Sequence, residues 1–434
     1  MKKIFTAIIG LMAAITIGAS TVPAVANAAS TTSVTDSLDV NAKAAISVDA
    51  KTGKILYAKN ANQVLPVASM SKLVTVYLLL EAVKNGKVKW TDKVTPDKEI
   101  VKISQDSSLS NVPLRSDKSY TVRELYQATL IYSANAAAMM LGDIVAGGNQ
   151  NKFIDLMNKK VKSWGITDAK LVNANGLSNS ALGSYIYPGS GKNGENVMSA
   201  ADMAVVARHL LTDFPDVLQT TSITTKTFEA GTNDATKMDN WDFMLPGLVS
   251  AQKDLNVDGL KTGTTDTAGD CFTGTATKNG TRIITVILHA NGSGETKRFV
   301  QTAKLMRWTF ANWKSMQVLA AGASIKGKNS IAVDKGKQES VPLKTSKAIT
   351  VMVPSSTTSS DVTLSYKAQS KQLTAPSKKG TQVGTISASA KGDNLGYLED
   401  AGNTSALVTT KAVQKAGWFT LLFRGIGHFF SNLF

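Results

Sequence analysis

Val67-Ala68-Ser69-Met70-Ser71-Lys72-Leu73-Val74-Thr75-Val76-Tyr77-Leu78-Leu79-Leu80 sets two serines and a lysine directly against an apolar stretch too uniform for a surface helix. The run from Leu73 onward predicts a helix buried on most sides, with Pro66 where a helix can begin. Ser69 then falls in the first turn, where unpaired backbone N–H groups and a partial positive charge of roughly half a unit favour an oxygen gaining negative charge. Lys72, three residues on, stacks on the same helical face as the Ser69 hydroxyl. A serine hydroxyl becomes a nucleophile only when a nearby base takes its proton. Histidine is scarce here, with only His209, His289 and His428. A lysine can serve if burial and a second cation bring its pKa from about 10.4 to about 7–8, a bias of about 4 kcal/mol. The spacing alone leaves the choice open. Ser250-Ala251-Gln252-Lys253 repeats it with no apolar run behind, and a capping serine beside a solvated lysine has the same pattern.

Toward the N-terminus, Lys2 and Lys3, an apolar run from Ile4 to about Ile17 and Ala26-Asn27-Ala28 predict a secretory signal over residues 1–28. A retained membrane helix fits less well because the run is short. Cys271 is the only cysteine, so lipid attachment near the cleavage site and an internal disulfide are excluded, and packed cores must supply stability. A polar lead-in covers residues 29–42. Ala45–Val48 and Lys54–Tyr57 then alternate like two strands joined by a turn at Asp49–Gly53.

Beyond the apolar helix, Lys84–Ser119 reads as polar and irregular, and Thr121-Val122-Arg123-Glu124 opens a helix with a capping-box pattern. That helix leads to Ser133-Ala134-Asn135, a hydroxyl able to relay a proton and an amide able to hold a substrate, or simply a helix cap. Asn173–Glu195 is a long loop rich in Gly, Asn and Ser, a length uncommon without function. A core helix resumes at Ser199. Asp258–Thr265 is strand-like and carries Lys261-Thr262-Gly263, with Gly263 leaving room for a substrate backbone to approach. A strand near Phe272–Thr277, a turn at Asn279-Gly280 and a strand at Arg282–Ala290 follow. Glu295–Trp313 reads as an amphipathic helix with Phe299, Ala303, Met306, Phe310 and Trp313 on or near one face. Together these make one α/β body over residues 43–317, an antiparallel sheet flanked by helices.

Residues 318–410 change character. Short β-like runs such as Ile349–Val353 and Val362–Tyr366 predict a small all-β domain, with no His, Cys or clustered carboxylates to carry chemistry. In the tail, 411–434, a helical wheel gathers nine large apolar residues between Trp418 and Phe434 on one arc, opposite Thr420, Arg424, His428, Ser431 and Asn432. Such a helix lies in a membrane interface rather than spanning it, with an upper bound above about 10 kcal/mol before ordering costs. The alternative is packing on the β domain. A net charge of +16 points to anionic lipids and wall polymers. Without aromatic–basic interleaving or a reader motif, nucleic acid is a poor fit. No metal or cofactor is expected.

Ser69-x-x-Lys72, Ser133-x-Asn135 and Lys261-Thr262-Gly263, in that order within one body, resemble the signature set of penicillin-binding proteins and class A β-lactamases. With Leu65–Lys72, Asn175-Gly176-Leu177 and Asp258–Thr264 as flanks, and with the β domain and tail, the chain is similar to the low-molecular-mass serine D-alanyl-D-alanine carboxypeptidases (peptidase S11-like) over nearly its whole length. The resemblance implies a β-lactamase/DD-peptidase-like catalytic domain, a peptidoglycan stem peptide as substrate, acylation by β-lactam antibiotics and a place on the outer face of the cytoplasmic membrane. It also implies roles. Ser69 would attack the carbonyl between the terminal D-alanines, Lys72 would accept its proton, and Ser133 would help pass that proton on. Asn135 would hold the substrate amide, and the N–H groups of Ser69 and Thr264 would form the oxyanion hole, where a lost donor costs about 3–4 kcal/mol. Lys261, Thr262, Thr264 and Arg298 would steer the free carboxylate. Thr264 stands where some relatives carry histidine. A class A β-lactamase would add a loop glutamate, but no Glu-x-x-Leu-Asn pattern occurs and Glu195 is the only nearby carboxylate. A transpeptidase or endopeptidase would share the chemistry. An inert wall-binding protein would not need every motif residue.

Overall fold

The structure, a computed structural model, describes residues 38–294, 296–399 and 403–431. The signal over residues 1–28, most of the lead-in, Glu295, Leu433 and Phe434 lie outside the described residues, as do the side chains of Phe429 and Phe430.

Five antiparallel strands form the central sheet. β1 (Ala42–Asp49), β2 (Ile55–Lys59), β9 (Asn256–Thr265), β10 (Gly269–Lys278) and β11 (Thr281–Ala290) stand in the order β2-β1-β11-β10-β9. The register pairs Ala42 with Ala290 and Lys261 with Thr273. β11 is apolar at nearly consecutive positions because both of its faces are covered. On one face Ile284, Val286 and Leu288 join Ala44, Ile46 and Val48 in the main core. On the other, Ile283 and Ile287 meet Phe299, Ala303, Leu305 and Met306 of α8 (Lys297–Asn312) through two smaller clusters.

The main core is helical. It contains α1 (Lys72–Lys84), α3 (Val122–Ile131), α4 (Asn135–Ala146), α5 (Gln150–Ser163) and α6 (Ala200–Asp213), with α2 (Lys98–Ser104) and the short α7 (Leu218–Thr221) at its margin. Leu73, Val74, Val76 and Leu79 of α1 are fully buried, so the uniform apolar run is explained by contacts all round. Pro66 does not start this helix. Leu65–Pro66 (β3) forms a ribbon with Val197–Met198 (β6), and a 3₁₀ turn over Ala68–Ser71 carries the chain into α1. α2 lies within the stretch expected to be irregular, where the Asp97 side chain accepts from Ile100 N at 2.8 Å and caps it. The capping box at Thr121 and Glu124 is present, and a second one, Ser199 with Asp202, starts α6. Trp313 is the extended C-cap of α8 rather than a helical residue, and it opens the next strand. Two more ribbons complete this part, β4 (Lys93–Val94) with β5 (Tyr120–Thr121) and β7 (Thr225–Phe228) with β8 (Thr236–Asp239).

The rest is β-structure around its own core. β12 (Trp313–Leu319) pairs with β15 (Ile349–Pro354), straddling residue 317. β13 (Ser330–Asp334), β14 (Ser340–Thr345), β16 (Val362–Ala368), β17 (Leu373–Thr374), β18 (Gln382–Ala390) and β19 (Thr404–Thr409) form a six-stranded sheet. The segment after β18 reaches back to the helix-rich half. Lys54, fully buried just before β2 and bridged to Tyr397, donates to Asp393 Oδ1 at 2.7 Å and Gly396 O at 2.8 Å, with the Trp313 and Tyr397 rings within 6 Å. Glu399 accepts from Arg208 and meets His209 of α6 at 2.9 Å.

The last helix, α9 (Trp418–Ser431), leaves Trp418, Phe419 and Phe423 about two-thirds exposed. Its Arg424 donates to Gly336 O at 2.7 Å and Lys337 O at 2.9 Å. Among the described residues, no helix is long and apolar enough to cross a membrane.

Candidate active site

Ser69 opens onto a cleft of about 1150 Å³ that Ser133, Asn135, Thr262, Gly263, Thr264 and Arg298 also line. The turn that carries Ser69 packs against β9, Ser133 lies between α3 and α4, and Asn135 opens α4. Residues 69, 133 and 261, far apart in sequence, thus reach one place.

Lys72 is completely buried, and its ammonium nitrogen lies 2.7 Å from Ser69 Oγ, 2.7 Å from Asn135 Oδ1 and 2.5 Å from the carbonyl of Asn175. All three partners are neutral. Burial above all, and the Lys261 charge second, hold the Lys72 pKa well below the ordinary lysine value. Lys261 is itself buried and donates to Thr262 O at 3.0 Å. Burial and the nearby Arg298 charge bring its pKa down to about 7, against an opposing pull from Asp242. Among the described residues, no carboxylate hydrogen-bonds to either lysine. The Lys261 charge therefore adds to burial in weakening the hold of Lys72 on its proton, the condition under which a lysine can act as a base.

Ala68 (φ 48°) and Ser133 (φ 60°) adopt the left-handed conformation that non-glycine residues avoid, and both sit where the cleft requires a sharp turn. Ser71 Oγ steadies the first by donating to Ala68 O at 2.8 Å, and Asn196 Nδ2 donates in turn to Ser71 Oγ at 2.7 Å. The Ser133 side chain is buried at the cleft wall and makes no hydrogen bond among the described residues.

Two glycines fix the Ser69 turn from opposite sides. A Cβ on Gly263 would stand 2.7 Å from Val67 O and 3.1 Å from Met70 N, so the backbone that approaches this strand is the chain's own. This, rather than access for a substrate alone, accounts for glycine there. A Cβ on Gly176 would fall 2.1 Å from Ala68 O. Gly176 belongs to the long Asn-rich loop, whose task becomes clear from its bonding. Asn173 Oδ1 accepts from Gly176 N at 2.7 Å, Asn173 Nδ2 donates to Leu177 O at 2.8 Å, and the loop so held presents the Asn175 carbonyl to Lys72. Sequence reasoning found the loop but not this acceptor, because a main-chain oxygen has no residue-type signature.

Arg298, second residue of α8, braces the far end of the cleft. Its guanidinium donates to Gly263 O at 2.9 Å, Cys271 O at 3.1 Å and Thr264 Oγ1 at 2.7 Å, and pairs with Asp270. Lys297 also meets Asp270, at 3.2 Å. Glu195 lines the cleft and accepts from Thr265 Oγ1 at 2.9 Å. Trp241, also on the cleft wall, donates its indole N–H to Tyr132 O at 3.2 Å. Among the described residues, no three His, Cys, Asp or Glu side chains gather closely enough to hold a metal ion.

Residues 28–292 match the family model described as D-alanyl-D-alanine carboxypeptidase, peptidase S11, and residues 313–415 match that of the C-terminal domain of penicillin-binding protein 5. The D-alanyl-D-alanine carboxypeptidase DacF of Bacillus subtilis is 29% identical over 91% of each chain. Among solved structures, a peptidoglycan synthesis regulatory factor (PBP3) from Streptococcus pneumoniae is 36% identical with a TM-score of 0.74, covering 87% of this chain and 100% of its own. Penicillin-binding protein D2 of Listeria monocytogenes, solved with cefotaxime bound, is 34% identical with a TM-score of 0.52, over 63% of this chain and 98% of its own.

Proposed function

Because the chain belongs to the peptidase S11 family of serine-type D-alanyl-D-alanine carboxypeptidases, we propose that Ser69 removes the terminal D-alanine of peptidoglycan stem pentapeptides through an acyl-enzyme, and that β-lactams acylate the same oxygen. The contact that carries this reading is the 2.7 Å approach of Lys72 to Ser69 Oγ inside a buried site with a second cation. Lys72 takes the hydroxyl proton as Ser69 attacks the carbonyl between the two D-alanines. The N–H groups of Ser69 and Thr264 receive the developing oxyanion. Ser133, with a free hydroxyl at the cleft wall, returns the proton to the departing amine. Asn135 serves twice, as an acceptor for Lys72 and as a ligand for the substrate amide. Lys261, Thr262 and Thr264 bind the free carboxylate, and Arg298 supports it by holding Gly263 and Thr264 in place. Water then releases the shortened peptide.

The division at residues 1–28, 43–317, 318–410 and 411–434 belongs to the same proposal. So do export through the N-terminal signal and peripheral attachment to the outer face of the cytoplasmic membrane through Trp418–Phe434. The exposed rings of Trp418, Phe419 and Phe423 support the attachment.

Labelled penicillin should form a stable adduct at Ser69, and purified protein should release free D-alanine from a pentapeptide, both activities disappearing in Ser69→Ala. Rapid and complete turnover of the drug would favour a β-lactamase, and absence of labelling an inert protein.

A further inference from the structure

Three segments of the β-rich half meet at the foot of α9. Gly336 bridges Lys415, Ser377 bridges Val413, and Ala416 N donates to Lys335 O at 2.9 Å. These pairings bring Lys335, Lys337, Lys378, Lys379, Lys411 and Lys415 to one edge, and all six are exposed. Two carboxylates oppose them, Asp334 at 4.0 Å from Lys335 and Glu339 at 3.2 Å from Arg424. Arg424 is already committed, since it donates to Gly336 O and Lys337 O and so ties α9 to this same edge. Six like charges on adjoining segments repel one another in water. They gain when they face a surface dense in negative charge, and the aromatic side chains of α9 start three residues beyond Lys415.

We propose that these six lysines form a collar that binds anionic phospholipid headgroups at the membrane face, a lipid site of the β-rich half itself. The inference rests on the membrane-interface reading of α9 and adds to it a requirement for lipid charge. An apolar helix gives binding to any bilayer, whereas the collar contributes only on an anionic one, each lysine strengthening binding by about fivefold. Salt weakens the collar's share and spares the helix's share.

The test is co-sedimentation of the purified protein with vesicles of phosphatidylcholine alone or mixed with phosphatidylglycerol. The wild type should bind the mixed vesicles far more tightly. A variant carrying K335Q, K337Q, K378Q, K379Q, K411Q and K415Q should lose at least about 100-fold on mixed vesicles, yet match the wild type on neutral vesicles and in D-alanine release from a soluble pentapeptide, which also reports folding. A variant with W418S, F419S and F423S should lose neutral binding and keep the preference for anionic lipid. Retention of that preference by the sixfold lysine variant, or its absence in the wild type, overturns the collar while leaving the helix reading intact. Failure of the wild type to bind either vesicle overturns both. Capture by soluble polyglycerol phosphate in preference to anionic vesicles would assign the lysines to a wall polymer and overturn the lipid assignment.

Discussion

Lys54 at the junction of the two halves and Lys72 in the cleft are both fully buried, and their surroundings set them to opposite uses. Lys54 has a carboxylate at 2.7 Å, a carbonyl at 2.8 Å and two aromatic faces. Burial still lowers its pKa, but the Asp393 charge pulls it back up. Lys72 has three neutral oxygens and a cation for a neighbour, so its hydrogen bonds hold the ammonium without any counter-charge to offset burial. Burial makes a lysine expensive to charge; whether a counter-charge follows decides if it becomes a fastener or a base.

Exchanging the two environments tests that contrast. The largest effect should come from Lys72→Ala, with penicillin acylation and D-alanine release falling about 10³-fold while the far-ultraviolet circular dichroism is unchanged. Asp393→Ala, by contrast, should leave the acylation rate within about twofold.

Gly176→Ala strikes the neutral oxygen that Lys72 has in place of a carboxylate. The added methyl would collide with Ala68 O and displace the loop. A drop of about 100-fold in acylation and a loss of about 3 kcal/mol in denaturant unfolding are expected. An unaltered acylation rate would mean that the Asn175 carbonyl is dispensable.

Removing the neighbouring cation sharpens the comparison further. Acylation needs neutral Lys72, so its rate climbs as pH rises through that group's pKa. Lys261→Gln takes away a charge that lowers this pKa, so the acid limb should move to higher pH and acylation at a fixed pH below it should fall. Stability should respond too. Lys261 titrates near 7 when folded and near 10.5 when unfolded. The unfolded chain therefore binds more protons between those values, and stability rises with pH across the window. In Lys261→Gln that rise should flatten, as urea midpoints measured at several pH values would reveal.

The smallest effect on activity belongs to the junction. Asp393→Ala strands a buried ammonium and should cost about 3 kcal/mol, visible in the melting temperature, whereas Lys54→Met, which removes the charge itself, should cost less. A large loss of acylation in either variant would mean that the junction controls the cleft.

How far the sequence could be read follows from the kind of information each feature uses. Ser69, Lys72, Ser133, Asn135 and Lys261 were singled out by residue type and spacing, and the fold brings them to one place; burial of α1 was written in its unbroken apolar run. Strand alternation located the core sheet, although the pairing of β1 with β11 could not be derived from either strand alone. Three features lacked such a signature. Asn175 acts through its main chain. Gly263 answers to a backbone brought from nearly two hundred positions earlier, and its neighbourhood was invisible until the fold was known. Lys54 read only as the first residue of a strand, because Asp393 lies 339 residues away in the chain. Pro66 misled for a related reason. A proline can open a helix, but here a ribbon with Val197–Met198 claims it first.

The placement of β1 between β2 and β11 has a consequence for how the protein is born. Ala42 finds its partner only in Ala290, so the innermost pairing of the catalytic sheet must wait until most of that half has been synthesised. Until then the growing polypeptide has no complete sheet, and a delay before folding is built into the order of its strands.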